Sequence, residues 1–365
     1  MDDVWKALQQ FDIDGEPIWI ESFGEGHINE TYSGYFKHAE KAPFRVILQK
    51  INTLVFRDPY ALMENITAVT KFIGDKMKKS GDSGRNEVLT VIPTRLGQSM
   101  YADETGGFWR SYVFIENAKS YQTVERPILF FSAAKAFGKF QRMLDDFPAQ
   151  KLHETIPDFH NTPKRFADFV ASVQKDAATR AKGVEREIDF VVSRERECGI
   201  ITGLLNNNEI PVRVTHNDTK LNNVMIDADT DEGVCVIDLD TVMPGSVLYD
   251  FGDSIRFGTN PAPEDEKDLD KVVFSLPLYE EYIKGFISEA RLTEMELENL
   301  AWGARLMTYE CGMRFLADYL DGDIYFRTSR PEQNLDRART QFKLVADMER
   351  HYEHLQKIAV ELAGR

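Results

Sequence analysis

Cysteine is scarce in this sequence: Cys198, Cys235 and Cys311 are the only three among 365 residues, far apart and without a Cys-x-x-Cys spacing. An odd, scattered set argues against a disulfide framework, and each is read as a reduced core residue. Long apolar runs are also missing. No stretch reaches the roughly 18 consecutive apolar residues that a membrane helix needs, so no membrane contact is expected. The first residues, Met1-Asp2-Asp3-Val4-Trp5-Lys6, lack the basic segment and apolar run of a secretory signal, which makes the cytoplasm the expected compartment. Positive charge is in deficit, with 44 Lys and Arg against 60 Asp and Glu and a formal charge of -16. A phosphate-rich polymer is repelled by such a surface, so nucleic acid is not an expected partner. A single nucleotide is not excluded, because its phosphates respond to local amides and a metal ion. The seven histidines form no His-Glu-x-x-His pair, which removes the usual zinc hydrolase arrangement.

What is present is a globular composition, 42% hydrophobic and 28% charged, on a chain long enough for two packed lobes and hence a cleft. Asp3 to Phe11 sets Val4, Trp5, Leu8 and Phe11 on one helical face. Pro17 to Phe23 and Thr31 to Phe36 read as strands joined by a turn at Gly24-Glu25-Gly26, and Phe44 to Ile51 reads as a third strand. A helix from about Tyr60 to Lys79 follows, then strands at Leu89 to Pro93 and Trp109 to Phe114. Beyond Asn117 the pattern is helical over Pro127 to Phe147, Pro163 to Ala181, Glu185 to Leu205, Ser275 to Glu289, Thr293 to Leu320 and Arg337 to Leu362, around a β-rich island at Val212 to Asp240. The expectation is an α+β fold of two lobes: residues 1–117 as a five-stranded antiparallel sheet with a helix, and residues 118–365 mainly helical.

The island carries the chemistry. Val214-Thr215-His216-Asn217-Asp218-Thr219-Lys220-Leu221-Asn222-Asn223 is followed by Val234-Cys235-Val236-Ile237-Asp238-Leu239-Asp240. Phosphoryl transfer requires a carboxylate that orients and deprotonates the attacking hydroxyl, and oxygen ligands that hold Mg2+ against the phosphates. Asp218 suits the first task, and Asn223 with Asp238 the second. The spacing His-x-Asp-x-x-x-x-Asn matches the catalytic loop of protein-kinase-like enzymes, and an aspartate after a short apolar strand is where that fold keeps its metal ligand. Turn propensity alone also explains single Asn and Asp residues; the combination does not. His216 is read as a residue that holds the loop through a backbone hydrogen bond. Gly24 and Gly26 let backbone amides approach phosphates, although a glycine hairpin is more often only a turn. Glu116 and Asn117, after the fifth strand, occupy the hinge position that offers backbone groups to adenine.

These residues resemble the aminoglycoside phosphotransferase and choline kinase superfamily, and more closely the N-acetylhexosamine 1-kinases. The resemblance runs over nearly the whole length through Gly24-Glu25-Gly26-His27-Ile28-Asn29, Arg213 to Asn223, Ile237 to Thr241, Pro244-Gly245-Ser246, Asp250 to Phe257 and Glu310 to Leu320. It implies a protein-kinase-like fold, ATP and Mg2+ as cofactors, and an N-acetylated hexosamine phosphorylated at its anomeric hydroxyl. It also implies His27, Arg314, Ile20 and Phe257 around the sugar. Protein kinases and many aminoglycoside kinases carry a phosphate-contacting lysine on the third strand, and this chain has Gln49 there, with Lys50 pointed to the opposite face by strand alternation. Two other readings stay open: a kinase of another small alcohol such as choline, homoserine or an aminoglycoside, and an inactive kinase-like binding module.

Overall fold

The computed structural model describes residues 2–24, 28–81 and 87–364. A short helix α1 (Asp2–Leu8) precedes the strands β1 (Glu16–Ser22), β2 (Glu30–Lys37) and β3 (Phe44–Ile51), then helix α2 (Pro59–Ser80) and strands β4 (Val91–Ile92), β5 (Tyr101–Ala102) and β6 (Phe108–Val113). They form one antiparallel sheet of six strands, ordered β1-β2-β3-β6-β4, with β5 paired to the start of β6. The added strand is only two residues long, too short for an alternating pattern to reveal. α2 starts where Asp58 accepts from the amides of Tyr60 and Ala61 and ends at Gly81, whose φ of 74° suits glycine.

Strand alternation gives the sheet two different faces. Val46, Leu48, Trp109 and Ile20 point outward and pack with Val4, Leu8 and Phe11 in a small core under α1. On the opposite face Ile51 and Tyr112 belong to the main core, and Ile47 packs against it. Lys50 lies on the outward face, with Nζ 5.4 Å from the Trp109 ring.

The rest of the chain is mainly helical. β7 (Ala118–Lys119) leads into α3 (Pro127–Met143), α4 (Thr162–Lys175), α5 (Glu185–Val192) and α6 (Ile200–Asn206). The β-rich segment follows: β8 (Arg213–Thr215), β9 (Val224–Asp227), β10 (Gly233–Val236) and β11 (Met243–Gly245), paired as β10-β9-β7 and β11-β8. The chain closes with α7 (Val247–Gly258), α8 (Leu276–Glu289), α9 (Glu294–Glu298), α10 (Leu300–Asp321), α11 (Gln333–Arg350) and α12 (Tyr352–Leu362). Helices expected as single units over Glu185 to Leu205, Thr293 to Leu320 and Arg337 to Leu362 are each broken in two, by a 3-10 turn at Glu195–Glu197 and by junctions at Asn299 and His351.

α7 was not expected from the pattern at all. All of its residues except Phe257 are buried: Val247, Leu248, Phe251 and Ile255 form an apolar stripe, and the polar residues Asp250, Asp253, Ser254 and Arg256 are enclosed as well. It crosses α10 at a pair of glycines: a Cβ on Gly252 would stand 2.3 Å from the Gly303 carbonyl oxygen, so the two backbones touch. Among the described residues no helix is long and apolar enough to cross a membrane.

Candidate active site

β8 delivers the chain into the loop that holds Asp218, and α7 fixes the loop's shape. The Asp250 carboxylate accepts from the amides of His216 at 2.9 Å and Asn217 at 2.7 Å and from the Gln141 side chain at 2.7 Å. Burial raises its pKa, a trend those donors and His216 oppose. Asn217 bends the loop with a φ of 64° and donates its side-chain amide to Thr241 O at 2.9 Å. The buried His216 ring takes the Asp218 amide on Nδ1 at 3.3 Å and meets Ile237 O through Nε2 at 2.9 Å. Since Nδ1 accepts, Nε2 carries the proton, and His216 ties the catalytic loop to the segment that bears Asp238.

Asp218 reaches the cleft with a partly exposed carboxylate. Lys220 Nζ lies 3.0 Å from Oδ1, and the Asn223 amide donates to Oδ2 at 3.1 Å and to the backbone carbonyl at 2.7 Å. Burial would raise the Asp218 pKa, but Lys220 and Arg256, with His216 beside it, overcome that trend and hold the carboxyl below its ordinary value. Asp218 is thus ionised and aimed. With its amide donating to Asp218, Asn223 keeps Oδ1 free among the described residues, and its backbone oxygen accepts from Ile237 at 2.9 Å.

Asp238 follows β10 in a left-handed conformation, φ 58° and ψ 57°, which turns its carboxylate into the cleft. It is open to solvent, yet the surrounding cleft walls and the charges of Asp240 and Asp218 push its pKa up to about 6, against the opposing pull of Arg110 and His216. Three carboxylates within electrostatic reach, one of them with its pKa raised by the cleft walls and the other two, make a place for a divalent cation. Among the described residues no cluster of three or more His, Cys, Asp or Glu side chains is closed around a metal position. That fits Mg2+, which uses one or two carboxylates and takes its other oxygens from substrate phosphates and water.

Above this floor the sheet presents Gln49 and Arg110, direct cross-strand partners on β3 and β6 and therefore on one face. Gln49 donates to Thr31 Oγ1 and accepts from Arg110 Nε, both at 3.0 Å. Arg110 Nη2 reaches Asp240 Oδ2 at 2.9 Å, and Nη1 lies 2.5 Å from Oδ1. Asn29 donates to the same Asp240 Oδ2 at 2.7 Å. Glu64 on α2 takes no part. Its side chain is 70% exposed and meets His153 at 2.7 Å. Arg110, Asp240, Lys220 and Asp250 were not singled out from the sequence. Lys220, Asp240 and Asp250 lie inside words quoted from the sequence but had no role assigned there, and Arg110 carried no local signal at all.

At the hinge, Glu116 is engaged by Arg45 through Nε at 3.0 Å and Nη2 at 2.5 Å, while the Arg45 guanidinium lies 3.7 Å from the Phe114 ring centre. Asn117, with φ 57°, donates to Asp229 at 2.9 Å, and its carbonyl accepts from Ala228 at 2.9 Å. Its polar groups are therefore committed to the β9-β10 turn. No backbone hydrogen bond among the described residues uses Glu116, whose amide and carbonyl remain available.

The expected sugar contacts separate. Arg314 on α10 has no carboxylate partner among the described residues and sits among Phe159, Tyr325 and Phe326, 5.3 to 5.8 Å from each ring centre. Phe257 is partly buried on α7, beside Arg256, which lies within electrostatic reach of Asp218. Ile20 is not brought to the cleft. It is 2% exposed in the core under α1, because its register across from Gly34 and Val46 places it on the sheet face away from Gln49. Gly24 has a φ of 77°, reserved for glycine, at the end of the first hairpin strand. Gly26 and His27 lie outside the described residues.

An ionised carboxylate beside an amide and a lysine, with further carboxylates close by and a strand wall above, is the set of groups that phosphoryl transfer requires. Residues 87–280 match the phosphotransferase enzyme family, and the chain belongs to it. Solved structures share the fold over nearly the whole length. A microcompartment-associated aminopropanol kinase is 15% identical with a TM-score of 0.59, covering 97% of this chain and 98% of that one. An aminoglycoside phosphotransferase from Alicyclobacillus acidocaldarius is 10% identical with a TM-score of 0.61, covering 96% of each chain. An amicoumacin kinase in complex with AMP-PNP and Ca2+ is 13% identical with a TM-score of 0.61, covering 93% of this chain and 91% of that one.

Proposed function

We propose that this phosphotransferase is an ATP-dependent kinase of N-acetylhexosamines, giving the sugar 1-phosphate, with Asp218 as the base. The observation that carries the kinase reading is the Asp218 site itself: an ionised carboxylate, oriented by Asn223 and Lys220, across from Asp238. Asp218 accepts the proton of the attacking hydroxyl and directs its lone pair at the terminal phosphate. Lys220 sits where it balances charge as that proton moves. Asp238 and Asn223 Oδ1 would hold Mg2+, which when bound neutralises the nucleotide phosphates. The Glu116 backbone receives adenine, and Gly24 and Gly26 cover the phosphates.

The hexosamine assignment rests on the resemblance in the flanking words and on Arg314. This guanidinium makes no salt bridge among the described residues and sits among aromatic rings, a combination that suits a neutral, hydroxyl-rich acceptor better than a cationic one. Choline or aminoglycoside acceptors call for an anionic or aromatic cage without a resident cation. Phe257 is assigned to the acceptor side, and His27 with it. ADP release with ATP and Mg2+ across N-acetylglucosamine, N-acetylgalactosamine, glucose, choline, homoserine and an aminoglycoside, with phosphorus NMR of the product, tests the reading. Turnover on the N-acetylated sugars with phosphate on the anomeric oxygen is expected. Turnover confined to an amino alcohol overturns the acceptor, and silence on all of them favours a binding module.

A further inference from the structure

Gln49 leaves the phosphate-facing sheet without the lysine that this fold uses, and the structure contains no lysine-glutamate pair between β3 and α2: Glu64 turns out to His153. A positive charge nevertheless lies on the same sheet face, one strand over. Arg110 stands directly across from Gln49, is 1% exposed, and is held from one side by the Gln49 amide oxygen and from the other by the Asp240 carboxylate. Asp240 is two residues beyond Asp238, and its second tie, to Asn29, comes from the end of the glycine hairpin. The polar chain Thr31-Gln49-Arg110-Asp240-Asn29 therefore joins three strands of the roof to the segment that would carry the metal.

A buried guanidinium is a costly group to keep for packing alone, and an apolar residue fills such a space without the desolvation penalty. Its location gives a reason for keeping it. We propose that Arg110 is a positioning residue for the nucleotide: it supplies the fixed positive charge that the third-strand lysine supplies elsewhere, and through Asp240 it clamps the Asp238 segment to the sheet. This deepens the kinase reading above and rests on it. The swap also explains why an amide is tolerated at position 49. Gln49 no longer faces phosphate as a charge; it braces Arg110, using its oxygen for the guanidinium and its nitrogen for Thr31. A lysine there would point a second cation at Arg110.

The test is calorimetric binding of AMP-PNP with Mg2+, which needs no acceptor, on the wild type and on Arg110→Met, Arg110→Met/Asp240→Asn and Arg110→Met/Gln49→Lys, with a thermal melt of each. The neutral double variant avoids an orphaned buried carboxylate and keeps a folded protein available if the single variant melts early. Loss of nucleotide affinity by about tenfold or more in the neutral double variant is expected. Addition of Gln49→Lys to Arg110→Met restores the lysine arrangement and should recover most of that loss, whereas a merely structural arginine is not replaced by a lysine on a different strand. With an active acceptor, its KM should stay within about twofold while the KM for ATP rises. Unchanged nucleotide affinity in the neutral double variant, no recovery with Gln49→Lys, or an equal rise in both KM values overturns the proposal. A wild type that turns over no acceptor but binds the nucleotide rejects the proposed activity while leaving this measurement intact.

Discussion

The floor and the roof of the cleft are built differently. The floor is one continuous stretch, His216 to Asp240, in which the proposed base, the amide ligand and the metal carboxylate follow one another within a loop and two short strands. The roof is assembled from Asn29, Thr31, Gln49 and Arg110, which meet only because β2, β3 and β6 pair in one register. A contiguous constellation keeps its spacing whatever surrounds it. A cross-strand one has no spacing to keep, and its members exchange roles without leaving a word in the chain.

That contrast can be broken at several points. Asp218→Asn should cost the largest effect, a fall in kcat of at least about a hundredfold with the melting temperature little changed, as expected for loss of a general base; a nearly active variant removes Asp218 from the chemistry. Asp250→Ala should act on the same loop from beneath. It strands two backbone amides and the Gln141 side chain, so a loss of about 3 kcal/mol in unfolding free energy and about tenfold in kcat is expected, measured by denaturant titration and steady-state kinetics. Stability without kinetic loss would mean that the loop holds itself.

Asp238 offers an intermediate effect with a definite sign. Its pKa rises on folding from 3.8 to about 6, so the folded state binds this proton more tightly than the unfolded chain does. Its contribution to stability is most favourable below pH 4, declines as pH rises toward 6 and is constant above that. Asp238→Asn should therefore raise the melting temperature at pH 7 without Mg2+, by about 1–2 °C, while weakening AMP-PNP binding with Mg2+. In the wild type that binding should weaken as pH falls through 6, because the proton competes for the carboxylate. A lower melting temperature in Asp238→Asn contradicts the assignment. The smallest effect belongs to a residue that the roof leaves out: Glu64→Gln should change the KM for ATP by less than about twofold, since its carboxylate faces solvent and His153 rather than the sheet.

The floor was legible in the chain because each residue type there is demanded by local chemistry, and the antiparallel sheet because glycine turns separate alternating strands. α7 was not. Its apolar stripe is short, and its polar residues Asp250 and Arg256 are buried against protein rather than turned to solvent, a placement that residue type alone does not announce. Ile20 shows the opposite error. The resemblance suggested a sugar contact, but the pleat decides orientation, and the pairing of Ile20 with Gly34 turns it under α1. Glu116 and Asn117 follow β6, but their side chains are spent on Arg45 and Asp229, leaving only main-chain groups of Glu116 available.

The contact of Gly252 with Gly303 has a mechanical meaning. Where these two glycines meet, backbone packs on backbone with only Leu248 and Met307 beside it, so little compressible side chain separates α10 from the helix that carries the Asp250 carboxylate and, through it, the loop of Asp218. α10 also carries Arg314, so the same crossing bears on the spacing between Asp218 and Arg314. A single methyl at Gly252 acts as a shim: it would widen the gap between the two substrates' handholds while leaving every residue that touches them in place.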